Sequence, residues 1–263
     1  MSKKLLFVLA IVGVLSFSSM ASAEWKHGIG PSATIFTVDG EVGFPSSYGV
    51  TNLKVKSSIK DINDRMFGLV GYSTNDEWLI RYKVFSVSIE SYEQGTRPAA
   101  AASTALATIS GKAELDIVNA EITAGYCFFD DYGFKSRFYF GARYVNHNGD
   151  FFIDGWDETA QAVTRTNSSM GGNWVTGVFG LSAEVPIIDN LKMTADADIS
   201  TFGAKLGYGA GVNLEYCFLE NKSVNLFMRY TSVDNDLGIK GGNNYYNYDV
   251  DEMSVGASFV FNF

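Results

Sequence analysis

Apolar and polar residues alternate along many segments of the chain, and this alternation constrains the fold more than any other feature. Residues 118–128 show the pattern most clearly. Their apolar members are Val118, Ala120, Ile122, Ala124, Tyr126 and Phe128, with Asn119, Glu121 and Thr123 between them. Residues 190–200, 206–219 and 253–263 repeat the pattern. Successive side chains of a β-strand point to opposite faces, so a period of two predicts strands with one apolar and one polar face.

The connections between these segments fall into two length classes. The short ones are residues 75–77, 130–133, 188–190 and 220–222, and the long ones are residues 38–64, 92–112, 148–172 and 235–249. A soluble sandwich also alternates, but short turns on one rim and long polar loops on the other are typical of transmembrane barrels. After the first 23 residues, the chain has no apolar run near the roughly 20 residues that a transmembrane helix needs. A closed barrel satisfies every backbone polar group within lipid.

The sequence therefore predicts an all-β fold, a closed antiparallel up-and-down transmembrane β-barrel of about ten strands, with eight or twelve as alternatives. The predicted strands are residues 25–37, 65–73, 77–91, 113–129, 134–148, 173–187, 190–200, 206–219, 223–234 and 250–263. Residues 53–59 could instead add a pair of strands or plug the lumen. The alternation changes phase between Trp78 and Ile89, which predicts a β-bulge there.

The N-terminus predicts export. Basic Lys3 and Lys4 precede apolar Leu5–Leu15, and Ala21-Ser22-Ala23 offers a signal-peptidase site. We therefore predict a signal peptide at residues 1–23 and a single barrel domain at residues 24–263, with an N-terminal membrane anchor as the alternative. Of the 20 basic residues 18 remain after cleavage, against 29 acidic ones, a net charge of −11. This charge, without a basic stripe, argues against a nucleic-acid partner.

Several motifs resemble a family of small Gram-negative outer-membrane β-barrels, porin-like or OmpA-like. They are Gly141-Ala142-Arg143-Tyr144, Asp196-Ala197-Asp198-Ile199-Ser200-Thr201-Phe202-Gly203, Arg229-Tyr230 with Asp234 and Asp236, and Asp61-Ile62 before Met66-Phe67-Gly68. In the second motif Ser200 and Thr201 replace the family's paired glycines. The resemblance covers about residues 34–263. It implies the fold and residence in the outer membrane, and brings no catalytic residue with it.

The last strand also resembles that family. It ends in Phe263, with Phe259 and Phe261 on the same face. The resemblance implies that these three residues form the signal by which the barrel assembly machinery recognises its clients. Outer-membrane lipid and this machinery are therefore the expected partners, with small solutes or ions as further candidates.

The inward face is predicted to carry nearly balanced charges. Strand parity places thirteen charged residues in the lumen: Arg81, Lys83, Glu121, Lys135, Arg137, Arg143, Glu184, Lys192, Asp196, Asp198, Glu215, Arg229 and Glu252. Ten tilted strands give a backbone diameter of roughly 20 Å, and side chains reduce the free channel to about 8 Å. Opposed charges in so narrow a space favour ion pairs. A narrow water-filled pore is the other reading.

Metal and catalytic sites have weak signals. Asp196, Asp198, Asp234 and Asp236 could hold Ca²⁺, but pairing with Arg143 or Arg229 is the preferred interpretation, so no metal or cofactor is predicted. The chain has two histidines, His27 and His147. A hydrolase would need His147 beside Asp150 at the outer rim, whereas a histidine next to glycine in a turn is usually solvated. No catalytic residue is predicted, and the protein is not expected to be an enzyme.

Cys127 and Cys217 are predicted to remain unpaired thiols. They fall on the fourth and eighth predicted strands, nearly opposite across a barrel about 20 Å wide, whereas a disulfide needs Cα atoms within about 7 Å. For function, the sequence predicts an integral outer-membrane protein that is structural or a narrow porin. A surface adhesion or receptor module acting through the long loops, and an outer-membrane hydrolase, are the alternatives.

Overall fold

The computed structural model describes residues 25–46, 49–56, 65–75, 77–98, 106–157, 162–201, 206–239 and 245–263. The predicted signal peptide lies outside them. The strands are β1 (Lys26–Ser46), β2 (Gly49–Lys56), β3 (Arg65–Thr74), β4 (Trp78–Pro98), β5 (Leu106–Asp131), β6 (Phe134–Asp157), β7 (Ala162–Ile188), β8 (Leu191–Thr201), β9 (Gly207–Leu219), β10 (Lys222–Leu237) and β11 (Tyr246–Asn262). Within these ranges no helix is long and apolar enough to cross a membrane.

The strands form one closed antiparallel sheet. From β3 to β11 each strand pairs with its neighbour in the chain, and β11 pairs with β1 to close the ring. β1 pairs with β3 through Lys26–Ile35 and with β2 through Asp39–Ser46, so β2 and β3 follow one another along one edge of β1. The ring therefore has ten strand positions, which confirms the predicted barrel. Residues 49–56 form a hairpin with β1 instead of a plug.

One rim of the barrel carries tight turns, as predicted. Tyr132 and Gly133 join β5 to β6 with φ values of +49° and +82°. Two successive positive φ values are those of a type I′ turn, whose twist matches that of a β-hairpin. Two-residue turns also join β7 to β8 and β9 to β10. This rim is called the turn side below, and the opposite one the long-strand side.

The outward faces of the long strands have two parts. On β6 the outward residues nearer the turns are Phe138, Phe140, Ala142 and Tyr144, and those further away are Asn146, Asn148 and Asp150. β5 and β7 change in the same way, with outward apolar residues in 118–128 and in 175–187 and polar ones beyond. These outward apolar residues form the apolar belt. Strand residues level with the belt make up the turn-side half of the barrel, and those beyond it the long-strand half.

Two sequence predictions about these strands were wrong. Residues 92–112 and 148–172 are not long loops, because most of them continue β4, β5, β6 and β7 beyond the belt. The phase change between Trp78 and Ile89 is not a bulge, because β4 pairs with β5 in an unbroken register from Trp78 to Pro98. Instead, the apolar residues of β4 face outward in the turn-side half and inward in the long-strand half.

Candidate functional site

The thirteen charged residues predicted for the lumen line a single cavity of about 580 Å³. The cavity also reaches Lys26 and Asn75 at the turn-side rim and His147, Trp174 and Tyr248 in the long-strand half. Alternation brings these charges together, because every second residue of a barrel strand faces inward. Asp236 does not join them, because it lies on the outside of β10, where the Asn247 amide donates to it over 2.7 Å. Asp234 alternates to the same side of the strand as Asp236 but borders the cavity.

Ion pairs connect the middle of the lumen. Glu121 accepts from Lys83 Nζ at 2.9 Å and from Arg143 Nε at 2.6 Å. Asp198 pairs with Arg229 and lies 3.8 Å from Arg143 Nη2, and Arg229 also pairs with Asp196. The pairing of Asp196 and Asp198 with Arg143 and Arg229 is therefore confirmed. Of these six lumen charges, Lys83 and Asp196 each contact one opposite charge and the other four each contact two, which is the condition under which buried ions are tolerated.

A second group of pairs lies closer to the turns. Lys192 Nζ is 3.1 Å from Glu215 and 3.8 Å from Glu184, and Arg137 is 3.5 Å from Glu184. Lys135 pairs with Asp130 at 3.0 Å on the rim. These pairs neutralise most of the turn-side charge within the wall itself.

Arg81 has a different environment. Its guanidinium carbon lies 4.7 Å from the centroid of the Tyr139 ring, a cation–π contact. The Tyr139 hydroxyl in turn donates to Asp196 and Asp198 at 3.3 and 3.2 Å. Among the residues the structure describes, no carboxylate lies within ion-pair distance of Arg81.

The lumen of the long-strand half is filled by apolar side chains. These residues, called the outer core, are Phe36, Val38, Val42, Val87, Ile89, Leu115, Ile117, Val145, Phe151, Trp174, Tyr246, Tyr248 and Val250. Phe151, Tyr246 and Tyr248 are at most 1% exposed. Burial of this kind stabilises by about 1.5–3 kcal/mol per large side chain.

Residues from opposite walls meet in the outer core. His147 on β6 lies 3.0 Å from the Tyr246 hydroxyl on β11, and these strands are five positions apart in the ring of ten. The His147 ring packs 4.3 Å from Tyr248 and 4.7 Å from Trp174. Gly172 on β7 faces Leu237 on β10 so closely that a Cβ at this position would overlap the leucine side chain. The described residues therefore close the lumen at this level.

Burial sets the titration of this cluster, which lies beyond the apolar belt. It lowers the pKa of His147 to about 3, because no charged group compensates for the loss of hydration. Burial likewise raises the pKa of the Tyr246 hydroxyl. At neutral pH His147 is an uncharged imidazole packed among aromatic rings.

The histidine and aspartate of the hydrolase alternative do not meet. His147 is 2% exposed inside the barrel and is not a solvated turn residue. Asp150 is exposed on the outside of β6, where it accepts from the Ser169 hydroxyl at 2.6 Å. Residues 147 and 150 are separated by an odd number of positions, so a continuous strand points them to opposite faces.

Both cysteines are unpaired, as predicted. Cys127 and Cys217 are inward-facing residues near the turn-side rim, on β5 and β9. The Cys217 thiol donates to Glu215 at 3.8 Å, and the Cys127 thiol donates to the Phe129 carbonyl at 3.2 Å.

The three C-terminal phenylalanines share the outward face of the barrel. Phe259 and Phe261 pack with ring centroids 4.9 Å apart. Phe263 and His27 exchange two backbone hydrogen bonds of 2.9 Å, so strand pairing continues to the last residue. Their predicted role as an assembly signal stays a prediction.

The outer core is the functional feature that sequence reasoning missed. Trp174 lies at the start of a predicted strand, but Phe151, Tyr246 and Tyr248 lie in segments predicted as loops. Period-two alternation is present there, with the apolar residues facing inward and asparagine, aspartate or glycine facing outward. This reversal, with the apolar residues at the inward positions, was the signal in the sequence that could have predicted the outer core.

Comparisons with known proteins agree with the fold. No protein-family model and no curated protein matches the chain. Among solved structures, the outer membrane protease OmpT from Escherichia coli matches with a TM-score of 0.54 at 8% identity, covering 92% of this chain and 99% of that chain. Ail, the attachment invasion locus protein of Yersinia pestis, matches with a TM-score of 0.37 at 14% identity, covering 91% and 99%. At such identities, the likeness to OmpT shows the fold alone, that of a Gram-negative outer-membrane β-barrel.

Proposed function

We propose that the protein is a closed barrel of the outer membrane with a structural role, and not an open porin. The outer core carries this proposal, because side chains from opposite walls meet inside the long-strand half. A path for water there would expose several aromatic and aliphatic side chains, each at a cost of about 1.5–3 kcal/mol. The proposal includes no catalytic role.

The apolar belt supports insertion in the outer membrane. On β5 it runs from Val118 to Phe128. At about 3.3 Å per residue and a tilt of about 40°, this run spans roughly 25 Å, the height of the apolar band of outer-membrane barrels. Aromatic residues stand at the turn-side edge of the belt, and Phe128 is 57% exposed and Phe263 55% exposed.

The long strands support a structural role beyond the lipid. β5, β6 and β7 contain 26, 24 and 27 residues, whereas a membrane-crossing strand needs about 9–11. The remaining length forms a barrel extension with a polar outside and an apolar inside. We propose that this extension is a rigid stalk on the cell surface that carries the outer ends of these strands above the membrane.

Fractionation and liposome swelling test the proposal. The full chain expressed in a Gram-negative host should cofractionate with the outer membrane on a density gradient. Purified barrel in phosphatidylcholine liposomes should give no swelling in arabinose above that of empty liposomes. The variant with Tyr246→Ala and Tyr248→Ala should allow swelling, provided that it still shows heat-modifiable migration. Recovery of the mature chain in the soluble periplasm, or rapid swelling with the unaltered protein, would contradict the proposal.

A surface-binding module is the second candidate, and the outer face of the stalk favours it. Polar groups are ordered there: Ser88 donates to Asp116 at 2.5 Å, and Asp150 is held by Ser169. If this face binds a partner, Asp116→Asn with Asp150→Asn should weaken adhesion of expressing cells without changing barrel stability. Adhesion equal to that of the unaltered protein would remove the candidate.

A further inference from the structure

We infer that the turn-side half of the lumen is a binding pocket for an amphiphilic carboxylate, a single apolar chain that ends in one carboxylate group. The inference rests in part on the proposed function, since the outer core makes the pocket blind at its long-strand end. The pocket is the cavity of about 580 Å³, a size within the range of ligand sites.

One wall of the pocket is apolar. Inward side chains of β3, β4 and β10 supply it, and the contributing residues are Met66, Val70, Phe85 and Phe227. The strand register places two of these residues on successive levels: Val70 stands beside Lys83, and one level further Phe85 stands beside Gly68. Apolar side chains that line a water-filled cavity are unfavourable, and an aliphatic chain lying along these four residues, called the apolar strip below, would remove that contact with water.

Arg81 stands at the turn-side end of this strip. It is directly paired in register with Tyr72, one level closer to the turns than Lys83 and Val70. Its guanidinium carbon lies over the Tyr139 ring, 4.7 Å from the centroid, and this cation–π contact holds the group in place. A guanidinium presents two parallel donors that match the geometry of a carboxylate.

The other charges of the lumen do not compete for the ligand. Each of the other six lumen cations predicted from the sequence lies within 4.0 Å of a carboxylate, and the pairs are Lys83–Glu121, Lys135–Asp130, Arg137–Glu184, Arg143–Glu121, Lys192–Glu215 and Arg229–Asp196. Arg81 has no such pair among the described residues. Six of the seven lumen cations are thus neutralised within the wall, and the seventh, Arg81, stands at the end of the apolar strip.

The arrangement also defines the direction of entry. The outer core closes the long-strand end, whereas the cavity reaches Lys26 and Asn75 at the turn side. Lys26 is exposed there and adds positive charge to the mouth. An amphiphile would enter from the turn side with its tail toward the apolar strip and its carboxylate held at Arg81.

Calorimetric titration of decanoate into the barrel in phosphatidylcholine nanodiscs tests the inference, with empty nanodiscs subtracted. We expect a saturable one-site isotherm. Arg81→Gln should weaken the binding roughly tenfold to a hundredfold, because a charge-assisted bidentate contact is lost. Lys135→Gln is the matched control, since it removes a lumen cation that is already paired, and should change the affinity by less than about threefold.

Two further ligands separate the contribution of the carboxylate from that of the apolar tail. Decanol has the same tail without the charge, and its weaker binding should not respond to Arg81→Gln. Acetate has the charge without the tail and should not bind. Val70→Trp, which fills the pocket next to the apolar strip, should weaken decanoate binding while Arg81 is intact.

The inference is overturned if decanoate shows no saturable binding beyond empty nanodiscs, if folded Arg81→Gln binds like the unaltered protein, or if acetate binds as well as decanoate. Heat-modifiable migration checks that each variant is folded. Failure of the closed-barrel proposal is recognised separately. A barrel that conducts ions yet binds decanoate through Arg81 would refute closure and retain the pocket.

Discussion

The turn-side half and the long-strand half of this barrel are built from the same strands with opposite arrangements of polarity. On β5, Ile122 faces outward and Glu121 inward in the turn-side half, whereas Asp116 faces outward and Ile117 inward in the other. The backbone register of β4, β5 and β6 is continuous through the change. The difference is the one expected if, as proposed above, lipid surrounds one half and water the other, because the surroundings of a barrel decide which face of its strands is apolar.

The two halves also differ in how their interiors are held. Ion pairs fill the turn-side lumen around a cavity, and apolar side chains fill the long-strand lumen. Packed apolar side chains lose stability with each methylene removed, whereas an ion pair is sensitive to the loss of either partner. Substitutions in the two halves should therefore lower the free energy of unfolding by different amounts, and each half needs its own control variant.

The largest effect is expected in the outer core. Phe151→Ala should reduce the free energy of unfolding by about 3–5 kcal/mol, because a fully buried aromatic ring is replaced by a cavity. The adjacent Phe152, which faces outward, is the matched control, and Phe152→Ala should cost about 1 kcal/mol or less. Urea unfolding in phosphatidylcholine vesicles, followed by tryptophan fluorescence, measures both. Equal losses for the two variants would mean that the long-strand half has no packed interior.

The next effect is expected in the turn-side half. Asp198→Ala should cost about 3 kcal/mol, since it leaves Arg229 and Arg143 with less compensating charge in the lumen. Asp130→Ala removes the partner of Lys135 on the exposed rim and should cost at most about 1 kcal/mol. The same unfolding assay compares them. A loss for Asp198→Ala no larger than that for Asp130→Ala would show that the central ion pairs are not needed for stability.

Acid should weaken the long-strand half selectively through His147. Burial lowers its pKa to about 3, against about 6.5 in the unfolded chain. Between these two pH values the unfolded chain binds a proton at His147 that the folded chain does not. The contribution of buried, neutral His147 to the free energy of unfolding is therefore complete above pH 6.5 and declines as the pH falls. The loss at pH 5 is about 2 kcal/mol.

Amide hydrogen exchange, corrected for intrinsic rates, locates this pH effect. Protection of β6, β7 and β11 beyond the belt should decrease between pH 7.5 and pH 5. His147→Phe keeps an aromatic ring and removes the titration, so its protection in this region should be nearly independent of pH. An equal decrease in the variant would assign the pH dependence to other groups.

The smallest effect concerns the two thiols on the turn side. β5 and β9 are four positions apart in the ring, so Cys127 and Cys217 should both react with a maleimide reagent in the urea-unfolded protein without reductant. Reduction should not change the electrophoretic migration of the unfolded chain. A Cys127–Cys217 bridge found by mass spectrometry would contradict the strand order.

The arrangement of the turn-side half could be predicted from the sequence, whereas that of the long-strand half could not. Asp196, Asp198 and Glu215 could be placed inward because apolar neighbours at every second position mark the lipid face. The pairing of Asp196 and Asp198 with Arg143 and Arg229 followed from the small diameter of a ten-stranded lumen. In the long-strand half, outward asparagines and glycines made segments such as residues 235–249 look like loops.

Contacts across the lumen could not be predicted either. His147 meets Tyr246 because the tilt and stagger of the strands bring the two to one level, and the stagger depends on the register of every pair around the ring. Arg81 was predicted to face inward, but its contact with Tyr139 and its separation from carboxylates depend on side-chain geometry. Strand parity fixes the face of a residue and leaves its partner undetermined.

Single-channel recording in planar bilayers tests the closed lumen most directly. Refolded protein with heat-modifiable migration should give no unitary current steps in 1 M KCl, whereas the variant with Tyr246→Ala and Tyr248→Ala should give steps because the outer core is opened. Stable steps of uniform size from the unaltered protein, with a selectivity that changes in Arg143→Ala, would contradict the account and establish a narrow pore.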